Sequence, residues 1–445
     1  MLLCCSVEPD IRLCFVVLRA SSPVLANCTS QLNSEVVSGG SKARTMSQSG
    51  PCNCVLHTPY LSNIYPMESR EGCINTGCAP PLNLEGGGLR YKDGGSTIPF
   101  ETILRNHGAN IARIRIWTST SNSQYSLNYG LALAKRARAA GLSIYVDLHY
   151  SDTWADPGHQ AIPSSWPKDL AGLNTQIWTY TRDVVNAFNN QGTPITMIQI
   201  GNEINDGMLW PVGRISVNGF SPLSQLLHSA ANGVRAASSS VRIMVHLADG
   251  WDTGTINWFY GGIFLQGQFA REDVDILGFS FYPFYNTRAT YANLANGLQA
   301  AVSLVGKDVM VVETDWPATS TCSATMSESS IARSIAGQQT WVNGIRNVLQ
   351  NVPSGRGIGI VYWEPGWVGN ANLGSGCADN LLVDGSGNTR SSIAMFSANI
   401  DPPSPLPESQ RDLTHQDLTS KDERGQLWLR WVAKIQGCRV FTAFC

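Results

Sequence analysis

Charged side chains are scarce in this sequence, in which Asp, Glu, Lys and Arg make up 14% of 445 residues. The 31 basic and 33 acidic residues give a net charge of −2, so the basic surface that nucleic acid requires of a partner is missing. The chain also lacks an apolar run of about 18 residues, which excludes a membrane-spanning helix. Cysteine is absent between Cys78 and Cys322, although the chain has 12. The middle of the chain is therefore no disulfide-rich scaffold.

The two ends differ in character from the middle. Residues 1–81 hold eight of the 12 cysteines but show no periodic pattern, which predicts an irregular leader. A short apolar run at 11–26 is interrupted by Arg19, and acids stand where a signal peptide would be basic, so there is no clean secretion signal. Residues 401–445 open with a proline-rich stretch, and 12 of these 45 residues are charged, against 52 of the 400 before them. This composition predicts a stiff linker and a charged tail.

Between these ends, short β-rich runs alternate with helical stretches. Seven runs read as strands, at 111–117, 142–148, 196–200, 241–247, 274–281, 308–312 and 357–363. Such alternation predicts right-handed βαβ units and a parallel sheet, either a (β/α)8 TIM barrel or a large doubly wound sheet. No G-x-G-x-x-G follows the first of these strands, which disfavours a dinucleotide-binding sheet. The alternation therefore predicts an α/β domain in the middle of the chain.

Polar groups follow most of the predicted strands, at the edge where barrel enzymes carry their active sites. Asn202 and Glu203 follow one run, and Glu313 follows another three strands later. Two carboxyl groups on separate strand tips can act as proton donor and nucleophile in glycoside hydrolysis, provided that their surroundings push the two pKa values apart. Arg113 and Arg115 share one face of a strand and could hold one carboxylate ionised. The alternative for a single glutamate is a helix cap or a structural ion pair.

Several tryptophans lie just beyond strand ends, in polar loops: Trp154, Trp251, Trp316 and Trp367. A buried tryptophan is usually a core residue, but indole rings in loops also stack on the apolar faces of sugars. The positions favour a sugar cleft. Asp152, Asp156, His149 and His159 share one loop, and their spacing matches no metal-ligand pattern, so no metal site is predicted.

Seven motifs show a resemblance to a known family. They lie at 134–160, 198–214, 226–234, 278–285, 311–317, 361–367 and 372–380, and include IQIGNEINDGMLWPVGR, VVETDWP and VYWEPGW. With these motifs, residues 82–400 resemble the family-53 glycoside hydrolases of clan A, the endo-β-1,4-galactanases, and especially the fungal ones. The resemblance implies a (β/α)8 fold, no cofactor, and retaining hydrolysis of internal β-1,4 bonds in the galactan side chains of pectic arabinogalactan. It also implies a secreted, monomeric enzyme whose partner is the polysaccharide.

The resemblance implies a role for each matching residue. Glu203 would be the acid/base, Glu313 the nucleophile, and Tyr282 would orient Glu313. Asn202 would bind the substrate 2-hydroxyl. Arg113, with Arg115 as the alternative, would lie beneath the nucleophile. The remaining substrate contacts implied are His149, Trp154, Asp249, Trp251, Trp316, Trp363 and Trp367. Cys322 and Cys377 match a disulfide pair, which fits secretion.

Two departures from the family pattern stand out. Ala248–Asp249 replaces an Asp-Asn pair, which puts one substrate contact in question. Residues 74–81 stand where the first barrel strand belongs, and their two prolines cannot donate ladder hydrogen bonds. The first strand is therefore expected to be atypical or missing, which would leave an open barrel edge. The alternatives to a galactanase are another clan-A β-glycanase or an inactive galactan-binding product of a defective gene model.

Overall fold

The computed structural model describes residues 2–8, 11–16, 73–77, 81–120, 124–398, 400, 419–421 and 427–429, and outside 81–400 only their backbone. The chain divides into two units, Met1–Tyr65 and Pro66–Cys445. In the first unit, strands Leu2–Glu8 and Ile11–Val16 pair in antiparallel fashion. These two paired strands lie within residues 1–81, the segment expected to be an irregular leader.

The second unit contains a closed barrel of eight strands. The strands are β1 (Cys73–Gly77), β2 (Ile111–Ile116), β3 (Ser143–Leu148), β4 (Ile195–Ile200), β5 (Arg242–Leu247), β6 (Ile276–Ser280), β7 (Asp308–Glu313) and β8 (Gly357–Tyr362). Each strand pairs in parallel with its neighbours in chain order, and β8 closes the ring by pairing with β1. The (β/α)8 prediction is confirmed, and all seven predicted strands occur.

The eighth strand is the segment in which sequence reasoning found none. Asn75 in β1 aligns with Val361 in β8 and with Ile111 in β2. The strand comprises Cys73–Gly77 and contains no proline, so the objection from the two prolines of this segment does not apply to it. Of the two outcomes expected for the first strand, an atypical strand and a missing one, the structure shows the first. Cys73–Gly77 belongs to the barrel although it precedes residue 82, where the catalytic domain was expected to begin.

Nine α-helices lie within the described residues: α1 (Pro81–Gly86), α2 (Phe100–Asn106), α3 (Leu127–Ala139), α4 (Leu170–Asn190), α5 (Ile215–Asn218), α6 (Phe220–Ala237), α7 (Thr253–Ile263), α8 (Tyr291–Val305) and α9 (Ile335–Gln350). Five of them begin at side chains that accept a backbone N–H, namely Ser126, Asp169, Asp252, Thr290 and Ser334. These caps satisfy donors that a helix leaves free at its start, which is why the helices begin there.

The core has two layers because strand side chains alternate between the barrel interior and the helices. Outward residues such as Ile114 and Val146 join the large cluster packed against the helices. Tyr145, Met197 and Met310 belong to a separate apolar cluster. Arg113, two residues beyond the interior residue Ile111 on the same strand, begins a buried polar layer nearer the carboxyl ends. This polar layer supports the site described below.

The loops and the tail complete the described structure. Cys322, in the loop after β7, forms a disulfide with Cys377, which follows β8, as the resemblance implied. In the predicted tail, Thr419–Lys421 pairs antiparallel with Leu427–Leu429. The predicted proline-rich linker at 401–407 lies outside the described residues. No helix of the described part of the chain is both long and apolar enough to cross a membrane.

Candidate active site

Two glutamates share a cleft at the carboxyl ends of the barrel strands. Glu203 follows β4, and Glu313 is the last residue of β7. The cleft has a volume of about 610 Å³, and its lining also contains Trp154, Asp156, Asp249, Ser280, Tyr282, Tyr285, Trp363, Trp367 and Asn370. Carboxyl groups and aromatic rings therefore face the same space, as sequence reasoning expected of a sugar cleft.

Glu313 receives a hydrogen bond on each carboxylate oxygen. Arg113 Nη1 donates to Oε1 at 2.8 Å, and Tyr282 Oη donates to Oε2 at 2.9 Å. The arginine is 3% exposed and also pairs with Asp147 at 2.9 Å. A charged guanidinium and a phenol thus each donate a hydrogen bond to this carboxyl group. The geometry fixes this carboxylate and aims a charged oxygen pair at the cleft.

Glu203 has the opposite environment. Burial raises the pKa of its carboxyl group well above the usual range, and the negative charges of Glu313 and Asp249 add to the rise. The Ser280 hydroxyl donates to Oε1 at 2.5 Å and partly opposes that rise. The two glutamates thus have different surroundings: a buried guanidinium and a phenol donate to Glu313, whereas burial raises the pKa of Glu203. Such a difference suits a nucleophile and an acid.

A buried histidine stands behind the serine. His246 Nε2 lies 2.9 Å from Ser280 Oγ, and its Nδ1 lies 3.0 Å from Gln199 Nε2. Burial lowers the pKa of His246 well below the usual range, and the charge of Arg113 lowers it further. His246 is therefore a neutral ring near neutral pH, so it adds no positive charge beside Glu203.

Arg115, the second inward arginine of β2, supports the aromatic wall of the cleft, which consists of Trp154, Trp363 and Trp367. Its Nη2 donates to Glu364 Oε1 at 3.0 Å, and its guanidinium lies 4.5 Å from the ring centroid of Trp154. Trp154 and Trp363 meet edge to face with centroids 5.8 Å apart, and Trp367 lies 6.5 Å beyond Trp363. The wall is held by a buried ion pair and a cation–π contact, so its rings keep their positions without substrate.

Some predicted contact residues lie beneath the cleft rather than in its lining. Asn202 accepts from Arg113 at 3.1 Å through Oδ1, and its Nδ2 donates to the Ala155 carbonyl at 2.9 Å. His149 Nε2 lies 3.1 Å from Asp147, and its ring lies edge to face with that of Trp154. Burial lowers the pKa of His149. Asn202 thus braces the buried Arg113, and His149 braces Trp154 of the cleft lining.

The two other predicted tryptophans have structural surroundings. Trp251 is buried, and its Nε1 donates to Asp249 Oδ1 at 3.1 Å, which fixes that cleft carboxyl group. Trp316 is 0% exposed and packs on Trp341, with ring centroids 5.1 Å apart. The expectation that Trp316 stacks on sugar is therefore wrong. Helix α9 covers the loop, so its indole belongs to the core.

Asp147, Gln199 and Ser280 were not singled out from the sequence. Asp147 and Gln199 stand inside apolar runs, two residues beyond the interior residues Tyr145 and Met197. Their alternation with these residues was the signal that could have placed them inside the barrel. Ser280 lies two residues before Tyr282, and the same alternation of side chains along β6 would have placed it inside the barrel.

The backbone is unusual at four positions just beyond the strand ends. Tyr150, Glu203, Asp249 and Glu364 follow β3, β4, β5 and β8, and their φ angles lie between 46° and 60°. A side chain disfavours this left-handed region, and such residues concentrate at functional sites. Three of the four carry the carboxyl groups of the cleft or its floor.

Within the described residues, no group of three or more His, Cys, Asp or Glu side chains could hold a metal ion.

A closed (β/α)8 barrel with differentiated glutamates beyond β4 and at the end of β7, in a cleft lined by tryptophans, defines a glycoside hydrolase. The model of Glycosyl hydrolase family 53 matches residues 80–396, and the chain belongs to that family.

Relatives and solved structures agree with this membership. The chain is 43% identical over 320 residues to an arabinogalactan endo-β-1,4-galactanase of Thermothelomyces thermophilus, covering 70% of this chain and 95% of the relative. It is 45% identical over 322 residues to one of Emericella nidulans, covering 70% and 90%. A fungal β-1,4-galactanase structure superposes with a TM-score of 0.71 at 40% identity, covering 74% of this chain and 99% of the other. The Ignisphaera aggregans GH53 catalytic domain has the same fold, with a TM-score of 0.65 at 24% identity, covering 74% and 97%.

Proposed function

We propose that this protein cleaves internal β-1,4-galactosidic bonds in galactan and arabinogalactan, with retention of anomeric configuration. The contrast between the two glutamates carries the proposal. Glu313 is tied by Arg113 and Tyr282, whereas burial favours the protonated form of Glu203. Relatives that are 43–45% identical are named endo-β-1,4-galactanases, which supports galactan as the substrate class.

The first step forms a covalent intermediate. A Glu313 oxygen attacks the anomeric carbon while the bond from that carbon to the glycosidic oxygen breaks, and Glu203 gives its proton to the departing oxygen. Arg113 and Tyr282 hold the attacking carboxylate against rotation, which keeps the reacting atoms aligned. Burial supplies the protonated Glu203 that this step requires.

The second step releases the sugar. Glu203, now a carboxylate, takes a proton from water as the water oxygen attacks the same carbon, and the bond to Glu313 breaks. The Ser280 hydroxyl donates to Glu203 and stabilises the ionised form that this step needs. One residue thus serves as acid and then as base, because loss of the Glu313 charge in the intermediate removes one cause of its raised pKa.

The proposal extends to the setting of the enzyme. The catalytic unit comprises the barrel from β1 to about residue 400, and we propose that it acts as a monomer. The Cys322–Cys377 disulfide and the fungal relatives support an extracellular enzyme acting on polysaccharide.

Substrate choice tests the proposal directly. We expect release of new reducing ends from lupin or potato galactan at least about a hundredfold faster than from mannan or xylan, because buried polar groups reject a sugar with misplaced hydroxyls. Reducing-sugar assays would measure the rates, and NMR of the first product would report its anomer. Cleavage of mannan with galactan left intact would contradict the proposal.

The alkaline limb of the pH–rate profile tests the assignment of the acid. Activity requires protonated Glu203, so it falls as the pH rises through the pKa of that group. Ser280 lowers this pKa by bonding the ionised form. Ser280→Ala should therefore move the alkaline limb of kcat/KM to higher pH. Ser224→Ala is a matched control, since Ser224 is equally buried but bonds the Ile263 carbonyl on the outer layer. A limb that moves to lower pH in the first variant would contradict the assignment.

A further inference from the structure

A second groove continues from the cleft along the loops after β3 and β4. It has a volume of about 640 Å³, and its lining includes Thr153, Trp154, His159, Gln160 and Trp210. Trp154 and Asp156 line both this groove and the cleft that contains the two glutamates. The two spaces are therefore adjacent, and a chain bound across the glutamates can run into the groove.

Trp210 forms an anchored aromatic surface in this groove. Its Nε1 donates to the Asp206 carbonyl at 3.1 Å, and the Arg214 guanidinium lies 4.0 Å from its ring centroid. Arg214 is in turn held by Asp206, with Nε 2.8 Å from Oδ2. The ring is thus fixed before any ligand binds, which lowers the entropy cost of stacking on it.

Gln160 links the groove to the acid. Its Nε2 donates to the Asn202 carbonyl at 2.7 Å and to the Asp156 carbonyl at 3.0 Å, and Asn202 directly precedes Glu203. The residue is 2% exposed, and no donor within the described residues reaches its Oε1. A buried acceptor without a donor is costly, and a sugar hydroxyl in the groove is a donor that would relieve that cost.

The chemistry of the lining selects a neutral sugar. An indole ring matches the C–H face of a pyranose, and the amide oxygen of Gln160 matches a hydroxyl group. The carboxylate of Asp156 stands where the two spaces meet and disfavours an anionic sugar. We infer that the groove is a remote subsite for a galactosyl unit of the same polysaccharide, stacked on Trp210 beyond the cleft that holds the two glutamates. This inference rests on the proposed function.

Chain-length dependence tests the subsite. For Trp210→Ala we expect kcat/KM on galactan and on β-1,4-galactohexaose to fall about tenfold through KM, since one aromatic stacking contact is lost. The galactotriose value should stay unchanged, because a short substrate does not reach the groove. Trp210→Phe, which keeps a ring and guards against misfolding, should show a smaller loss with the same length dependence.

Trp178→Ala is the matched control. Trp178 is also half-buried with an arginine over its ring, at 4.7 Å, but it lies on α4 outside the cleft. Trp178→Ala should leave kcat/KM unchanged on every substrate. Equal losses on short and long substrates, or a Trp210→Ala variant that behaves like Trp178→Ala, would overturn the subsite alone. A wild-type enzyme inert on all galacto-oligosaccharides would overturn the proposed function and the subsite together.

Discussion

Glu313→Gln should lose kcat on galactan by about 10⁴-fold or more, because an amide cannot form the glycosyl–enzyme bond. The fold should survive the change. The amide oxygen can still accept from Arg113, and Arg113 keeps its ion pair with Asp147. Steady-state rates on galactan measure the loss, and thermal unfolding with circular dichroism checks the fold.

Glu328→Gln provides the control for this substitution. Glu328 accepts the backbone N–H of Tyr291 at 2.8 Å and lies outside the cleft, so its loss should leave the rate unchanged. Substantial turnover by a folded Glu313→Gln variant would refute the nucleophile. A loss in both variants would point to a general effect of removing a glutamate.

Glu203→Gln should show a loss that depends on the leaving group. On galactan we expect kcat to fall by about 10² to 10⁴-fold, the usual contribution of a positioned general acid. A dinitrophenyl β-galactobioside needs no proton on its leaving group, so its first step should stay fast and produce a burst of dinitrophenol. Stopped-flow absorbance measures that burst.

Azide distinguishes the acid/base from a residue that only binds substrate. It attacks the intermediate without a general base, so it should restore steady turnover of the aryl substrate by Glu203→Gln and yield a galactosyl azide. The wild-type enzyme should gain nothing from azide. Equal losses on galactan and on the aryl substrate, with no rescue, would remove Glu203 from the acid/base role.

Sequence reasoning reached the barrel and both glutamates because strong physical patterns carry them. Long apolar runs mark β2 to β8, and the polar residues directly after β4 and at the end of β7 stand where parallel strands converge. The strand alternation placed Arg113 and Arg115 on one face, and both donate to buried glutamates inside the barrel.

The failures have physical causes as well. Strand β1 has the sequence CINTG, which carries little apolar signal. Only its backbone pairing with β2 and β8 marks it as a strand, and that pairing cannot be read from the sequence. Trp316, like Trp154, follows a barrel strand. Helix α9 covers Trp316, whereas Trp154 lines the cleft. Sequence spacing does not encode which way a loop turns, so tertiary packing decides between core and cleft.

The left-handed backbone at Tyr150, Glu203, Asp249 and Glu364 lowers the stability of the barrel at the end that carries the active site. Each such residue costs about 1 kcal/mol or more relative to a glycine in the same conformation, and Glu203 adds the cost of a buried carboxyl group. Replacement of Glu203, Asp249 or Glu364 by glycine relieves the backbone but removes a carboxyl group of the cleft or its floor. Directed evolution that selected only for thermal stability would therefore favour substitutions at these positions and lose activity. Activity must be selected in every round.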